Sequence, residues 1–205
     1  MDLSDWINCR ADITPEKPAM VFEGGQLSYT QMARRIDISA QILAAELGVR
    51  HGDRVAYLGL NSPEFIILLF ACARVGAVLL PLNWRLAAAE HAQLMQHARP
   101  VVLFAEQEFT GHIDTVRQQF ESVALVALSG AGEAWQAFET LENNSERKPP
   151  FTRPNDLSED DGLVLCYTSG TTGIPKGALL SKNALFWKNI FSIQCSKIIE
   201  CSKDN

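Results

Sequence analysis

The chain has 205 residues, of which 47% are hydrophobic and 20% are charged, and its formal net charge is −6. This composition is typical of a folded globular protein and excludes a wholly disordered chain. A net negative charge gives no electrostatic reason to expect a nucleic-acid partner, because such proteins usually carry a basic patch or stripe. The length is sufficient for one domain, or for one domain and the beginning of a second.

The first predicted elements are a hairpin and a helix. Residues Ala19–Tyr29 contain two short β-prone segments on either side of Gly24 and Gly25, a pattern that predicts a β-hairpin. Ser28 and Gln31 have the spacing of a capping box, which indicates that a helix begins there. The predicted buried face of this helix consists of residues at helical intervals, namely Met32, Ile36, Leu43 and Leu47.

Beyond the hairpin, short apolar strands alternate with helices. The predicted elements are a strand at Arg54–Leu58, a helix capped by Ser62 with Pro63 at its first position, a strand at Ala77–Leu80, a helix at Ala87–His97, a strand at Val101–Phe104, a helix at Gly111–Phe120 and a strand at Val123–Leu128. This alternation predicts an α/β fold with a mainly parallel sheet and helices on both faces. The polar, proline-containing run at about 142–161 is predicted to be a connector.

One apolar stretch, Phe65–Leu82, is long enough to suggest a membrane-spanning helix. Arg74 lies in its middle, where a charge costs roughly 2.5–3.5 kcal/mol on insertion scales. Gly76 and Pro81 also interrupt it. We therefore interpret the stretch as a buried helix that ends near Arg74, followed by a buried strand, and we predict no integral membrane segment.

The cysteines and histidines predict neither a disulfide framework nor a zinc site. The five cysteines form an odd set without a Cys-x-x-Cys pair, namely Cys9, Cys72, Cys166, Cys195 and Cys201. Asp2 and Asp5 stand where a secretory leader would carry basic and apolar residues, so we expect reduced thiols and a cytoplasmic location. The four histidines show no His-Glu-x-x-His spacing. A disulfide framework and a catalytic cysteine are the less favoured alternatives.

The most informative segment is a polar loop between two apolar strands, Val164–Tyr167 and Ala178–Leu180. The loop reads TSGTTGIPKG and contains three glycines, four hydroxyl side chains and one lysine, Lys176. Glycines let the backbone present successive N–H groups to a ligand, and such groups form a nest for anions. The hydroxyls add further donors and the lysine adds positive charge. Together these residues indicate a cradle for a polyphosphate.

Other phosphate-binding patterns fit this loop poorly. A Walker A loop requires Lys-Ser or Lys-Thr after a glycine, whereas Lys176 follows Pro175 and precedes Gly177. The Gly-x-Gly-x-x-Gly loop of protein kinases is also absent from this segment. The alternative is a polar hairpin loop with an incidental lysine. Ten consecutive residues that follow one pattern favour the phosphate cradle.

The segment Tyr167–Gly177, YTSGTTGIPKG, resembles the phosphate-binding loop of the AMP-forming adenylate-forming superfamily. That superfamily includes acyl-CoA synthetases, luciferases and the adenylation domains of peptide synthetases. Weaker similarities occur in family order over most of the chain, at Leu27–Thr30, Gly52–Ala56, Asn61–Phe65 and Gly76–Asn83. The segment Pro81–Leu86 favours fatty or aryl acid–CoA ligases over peptide-synthetase domains.

The resemblance implies a reaction in two halves. A carboxylate attacks the α-phosphate of ATP to give acyl-AMP and pyrophosphate, and the thiol of coenzyme A then displaces AMP. Hydrogen-bond donors and Mg²⁺ neutralise the charge that moves to the leaving group. The resemblance assigns the β- and γ-phosphates to Ser169, Gly170, Thr171, Thr172, Gly173 and Lys176. It assigns Thr168 to the Mg²⁺–phosphate group.

The resemblance also implies that residues 1–205 are the N-terminal part of the large domain of such an enzyme. The acyl pocket, the ribose-binding aspartate and the small C-terminal domain then lie outside it, so we expect a fragment that makes no acyl-AMP alone. Lys182 stands where relatives commonly have histidine, and we expect it to be a solvated residue at a helix start. An enzyme that loads a carrier protein and a non-catalytic nucleotide-binding module are the alternatives. The particular acid and the oligomeric state stay open.

Overall fold

The N-terminal part of the chain forms a hairpin followed by a capped helix. The computed structural model describes residues 3–130, 132–145, 148, 151–168 and 176–187. Strands β1 (Pro18–Phe22) and β2 (Gly25–Ser28) pair in antiparallel fashion, which confirms the predicted hairpin. Helix α1 spans Trp6–Ile13 and helix α2 spans Tyr29–Gln41. The predicted capping box is confirmed, since Gln31 N–H donates to Ser28 Oγ and Ser28 N–H donates to Gln31 Oε1.

A seven-stranded sheet organises the rest of the chain. Its strands are β3 (Arg54–Leu58), β4 (Val78–Leu82), β5 (Val102–Ala105), β6 (Ala124–Ala127), β7 (Gln136–Ala137), β8 (Gly162–Thr168) and β9 (Lys176–Ser181). Their order is β7-β6-β5-β3-β4-β8-β9, and every neighbouring pair is parallel except β8 and β9. The predicted α/β fold with a mainly parallel sheet is confirmed.

Helices cover both faces of this sheet. They are α3 (Pro63–Val75), α4 (Ala88–Ala98), α5 (Gln107–Asp114) and α6 (Phe138–Ser145), and residues 182–187 are also helical. On β3, Val55 and Tyr57 join a core with residues of α2, α3 and α6, whereas Ala56 and Leu58 join a core with residues of α4 and α5. Both faces of the strand are therefore apolar, as expected of a buried parallel sheet.

The stretch that resembled a membrane span divides into α3 and β4. Gly76 ends α3 with φ of 80°, a left-handed conformation that glycine adopts without strain. Arg74 is buried and forms an ion pair with Asp37. Within the described ranges, no helix is long and apolar enough to cross a membrane.

The predicted helix Gly111–Phe120 was wrong in its bounds, since α5 begins four residues earlier and ends at Asp114. Strand β5 ends at Ala105 and α5 begins at Gln107, so only Glu106 separates the strand from the helix. Gly111 lies inside the helix, where its cost is only one of intrinsic propensity.

The polar run that was predicted as a connector also begins differently. Strand β7 and helix α6 were not predicted, and residues 142–145 form the last turn of α6. Leu141 is buried and Phe138 packs against the same core, which holds this short helix although its other residues are mostly polar. Residues 151–161 contain no regular helix or strand.

Candidate phosphate-binding site

The β8–β9 hairpin carries both ends of the predicted phosphate loop. Thr168 and Lys176 are partners in the antiparallel ladder, at the end of the pairing. The intervening loop residues of the predicted site, Ser169, Gly170, Thr171, Thr172 and Gly173, lie outside the described residues. Of the predicted site, the structure therefore locates the two residues at its base and brings their backbones together.

The loop leaves the sheet at the carboxyl edge of its parallel strands. Leu79 of β4 is opposite Val164 of β8, so counting along both strands brings Asn83 level with Thr168. After β4 the chain crosses to the far side of β3, whereas after β8 it continues outward to β9. In open α/β sheets, ligands bind at the carboxyl ends of the strands where the connections diverge in this way.

A short turn beyond β4 lies beside the base of the loop. Asn83 Oδ1 accepts a hydrogen bond of 3.1 Å from Arg85 N–H. The Arg85 guanidinium lies over the Trp84 ring, 5.0 Å from its centroid. The Trp84 ring in turn lies 6.4 Å from that of Phe109 in α5. We call residues 83–86 the edge turn. It presents an exposed cation and an aromatic ring on the same edge as the loop.

A buried histidine anchors the edge turn to the helices behind it. His91 of α4 is fully buried, and its Nε2 lies 3.0 Å from Asn83 O. Its Nδ1 lies 3.0 Å from Nε2 of His112 in α5. Burial lowers the pKa of His91, and His112 lowers it further, while the Asn83 carbonyl opposes both effects. At pH 7 the neutral ring is therefore the favoured form in the folded chain.

The carboxyl ends of β3 and β5 are occupied by side chains of the chain itself. Tyr57 Oη donates to Glu106 Oε1 at 2.8 Å, and Leu60 N–H donates to Glu106 Oε2 at 3.0 Å. A Cβ added at Gly59 would lie 2.7 Å from Glu106 Cδ, so this part of the edge is tightly packed. Burial raises the pKa of Tyr57, and the neighbouring Glu106 carboxylate raises it further. The Glu106 carboxylate thereby holds the turn after β3 against the end of β5 by hydrogen bonds.

The expectation for Lys182 was wrong, since its side chain is buried with 1% of its surface exposed. Its Nζ lies 3.2 Å from Ser158 O and 3.4 Å from Asp161 Oδ2. The strand β9 runs away from the loop, so the length of β9, six residues at about 3.3 Å each, separates Lys182 from Lys176. Lys182 therefore lies at the opposite edge of the sheet from the phosphate loop.

Sequence reasoning could have found this contact. Asp161 immediately precedes β8 and Lys182 immediately follows β9, and the two ends of an antiparallel hairpin necessarily meet. His91 and His112 carried a weaker signal. They lie on α4 and α5, which follow the strands on either side of β3. No periodicity in the sequence determines which residues of two different helices face each other.

Among the described residues, there is no group of three or more histidine, cysteine, aspartate or glutamate side chains that could hold a metal ion. The cysteines described are free, and Cys72 is buried. A magnesium ion that enters with ATP would be bound chiefly by oxygen ligands from the phosphates, and the predicted protein contact, Thr168, is located only through its backbone at the base of the loop.

Comparison with known proteins shows the family to which the chain belongs. The chain matches the AMP-binding enzyme family over residues 8–204 and belongs to that family. It is 45% identical over 198 residues to an indoleacetate–CoA ligase of Aromatoleum aromaticum. The alignment covers 97% of this chain and 38% of the relative. It is 38% identical to the fatty acid–[acyl-carrier-protein] ligase ScoC of Streptomyces coeruleorubidus, over 84% of this chain and 31% of the relative.

A solved structure shows the same fold. The N-terminal domain of FACL13 from Mycobacterium tuberculosis superposes with a TM-score of 0.73 at 30% identity, over 89% of this chain and 45% of that chain. The chain spans between 31% and 38% of the length of the two relatives named above. It therefore corresponds to a part of such enzymes, and the predicted membership of the adenylate-forming superfamily is confirmed.

Proposed function

We propose that the polypeptide containing this chain is an acid–CoA ligase that uses ATP. It would join a carboxylic acid to AMP with release of pyrophosphate, and then transfer the acyl group to coenzyme A. The observation that carries this proposal is the sequence YTSGTTGIPKG at the carboxyl edge of the parallel sheet, with Thr168 and Lys176 paired at its base. Family membership supports the use of a nucleotide.

The proposed roles follow from charge. The carboxylate and the triphosphate are both anions, so their reaction requires the phosphate charge to be neutralised as pyrophosphate leaves. Lys176 supplies a cation for the β- and γ-phosphates, and the backbone N–H groups and hydroxyls of residues 169–173 supply donors. Thr168 is proposed to contact the Mg²⁺–phosphate group. Mg²⁺ is proposed to enter with ATP and to polarise its phosphates.

The proposed substrate is a fatty or aryl acid. The support is the activity of the relatives, one of which is an indoleacetate–CoA ligase and another a fatty acid ligase. The acceptor thiol has two candidates. The relative named as a ligase of acyl-carrier protein favours a carrier domain as the second candidate, whereas the indoleacetate relative favours coenzyme A. The cytoplasmic location stays a prediction.

The test is ATP–pyrophosphate exchange over a panel of aryl and fatty acids, made with the polypeptide that contains this chain. Acid-dependent exchange followed by formation of an acyl-CoA would support the proposal. Transfer to a carrier protein but not to coenzyme A would favour the second candidate. If Mg·ATP binds but none of the acids in the panel supports exchange, the result would favour a non-catalytic nucleotide-binding module. For residues 1–205 alone, we expect no exchange.

A further inference from the structure

We propose that His91 is a positioning residue for the phosphate-binding edge of the sheet, and that His112 holds it in the tautomer that this role requires. His91 is fully buried on α4, whose residues Ala92 and Met95 belong to the core on this face of the sheet. A buried imidazole must satisfy both of its nitrogens. Both are satisfied here, one by His112 and the other by the edge turn. The inference rests on the proposed function only for its effect on ATP.

The hydrogen bonds assign one tautomer to each ring. Asn83 O is a carbonyl and can only accept, so Nε2 of His91 carries the proton. In the neutral ring Nδ1 is then an acceptor, and the Nε2 of His112 must donate to it. The result is a chain of donors with one direction, from His112 to His91 and from His91 to the Asn83 carbonyl.

This chain of donors ends at the base of the proposed phosphate site. Asn83 is the first residue beyond β4 and is level with Thr168 of the neighbouring strand β8. Neighbouring strands lie about 4.8 Å apart, so we expect a displacement of Asn83 to shift the start of the loop as well. His91 thereby connects the helical layer to the wall of the site.

The hydrogen bond from His91 to Asn83 O is not required to satisfy that carbonyl. Asn83 O also accepts Leu86 N–H at 3.1 Å, so it would keep a donor if His91 were replaced. The edge turn would therefore still form. What His91 adds is a fixed position of that turn relative to α4. Loss of this contact should move the turn without unfolding the chain.

The test compares three variants of the 205-residue chain. His91→Leu removes both hydrogen bonds, whereas His91→Gln keeps an N–H donor near the position of Nε2. Met95→Ala is the matched control, because Met95 is 1% exposed on the same helix and its loss disturbs the same core without touching Asn83. The readouts are the ¹⁵N shifts of the imidazoles, the amide shifts of residues 83–86 and the dissociation constant of Mg·ATP.

We expect the parent chain to show Nε2–H tautomers for both rings. His91→Leu should shift the amides of residues 83–86 and weaken Mg·ATP binding by about two- to ten-fold, the value of one hydrogen bond. His91→Gln should restore most of both signals, and Met95→Ala should leave them near the parent values at comparable loss of thermal stability.

The outcomes separate the two proposals. If the amides of residues 83–86 respond to His91→Leu but the parent chain binds no Mg·ATP, the positioning role stands and the chain does not bind ATP by itself. If those amides do not move, or if Met95→Ala moves them equally, the positioning role is refuted. An Nδ1–H tautomer of His91 would also refute it, whatever the result for ATP.

Discussion

The buried pair of Lys182 and Asp161 allows a prediction about unequal partners. Lys182 is 1% exposed and has two oxygen contacts, Ser158 O and Asp161 Oδ2. Asp161 keeps 17% of its side-chain surface exposed, accepts Ser158 N–H at 2.8 Å and lies 3.2 Å from His51 Nε2. Removing the aspartate charge leaves a buried ammonium, whereas removing the lysine leaves a carboxylate that keeps other partners.

The expected magnitudes follow from this asymmetry. Breaking a fully buried ion pair costs about 3–5 kcal/mol. The Lys182–Asp161 contact is long and one partner is partly exposed, so we expect Asp161→Asn to lower the free energy of unfolding by about 2–3 kcal/mol. Lys182→Met replaces the buried cation by an apolar chain, and we expect a loss of about 1 kcal/mol or less. In the double variant, the extra cost of Asp161→Asn should largely disappear.

The assay is urea unfolding of the 205-residue chain at pH 7, with circular dichroism and tryptophan fluorescence as probes. Asp160→Asn is the matched control, since this neighbouring carboxylate is exposed and should change stability by less than about 0.5 kcal/mol. The reasoning is refuted if Lys182→Met costs as much as Asp161→Asn, or if the two effects simply add.

Three further predictions concern strain, pH and the loop. Gly76→Ala should destabilise the chain by about 2 kcal/mol or more in urea unfolding, because φ is 80° and the added Cβ would lie 2.5 Å from Leu157 Cδ2 and 2.7 Å from His51 Cδ2. Because the folded pKa of His91 is lowered from 6.5, its contribution to stability is present above pH 6.5 and is lost as the pH falls through the folded pKa. Unfolding curves measured over a pH series should therefore show a free energy of unfolding that falls with pH in this range. If His91→Gln leaves that pH dependence unchanged, His91 is not the group responsible. In the polypeptide that contains this chain, Lys176→Ala should reduce ATP–pyrophosphate exchange by about ten- to a hundred-fold, since a charged hydrogen bond contributes about 1.5–3 kcal/mol; exchange at the parent rate would remove Lys176 from the site.

Some features of this protein were determined by local sequence. The capping box at Ser28 and Gln31, and the bounds of β3, depend on neighbouring residues and on apolar periodicity, so they were predicted correctly. The alternation of apolar strands and helices similarly determined the α/β fold, because a strand that is apolar on both faces must be covered on both. The loop before Gly177 determined the family, since its glycines and hydroxyls follow one another directly in the chain.

Tertiary structure decided features that depend on contacts between distant residues. Ser62 stands at the N-cap of α3 as predicted, but its hydroxyl lies 2.8 Å from Tyr57 Oη and makes no cap hydrogen bond. Lys182 was predicted to be solvated, yet it is buried against Asp161 at the end of the β8–β9 hairpin opposite the loop. Which oxygen a hydroxyl meets, and whether a lysine reaches water, are decided by the packing of elements far apart in the chain. Local pattern determines the elements, and the energy of burying polar groups determines the partners that those groups take.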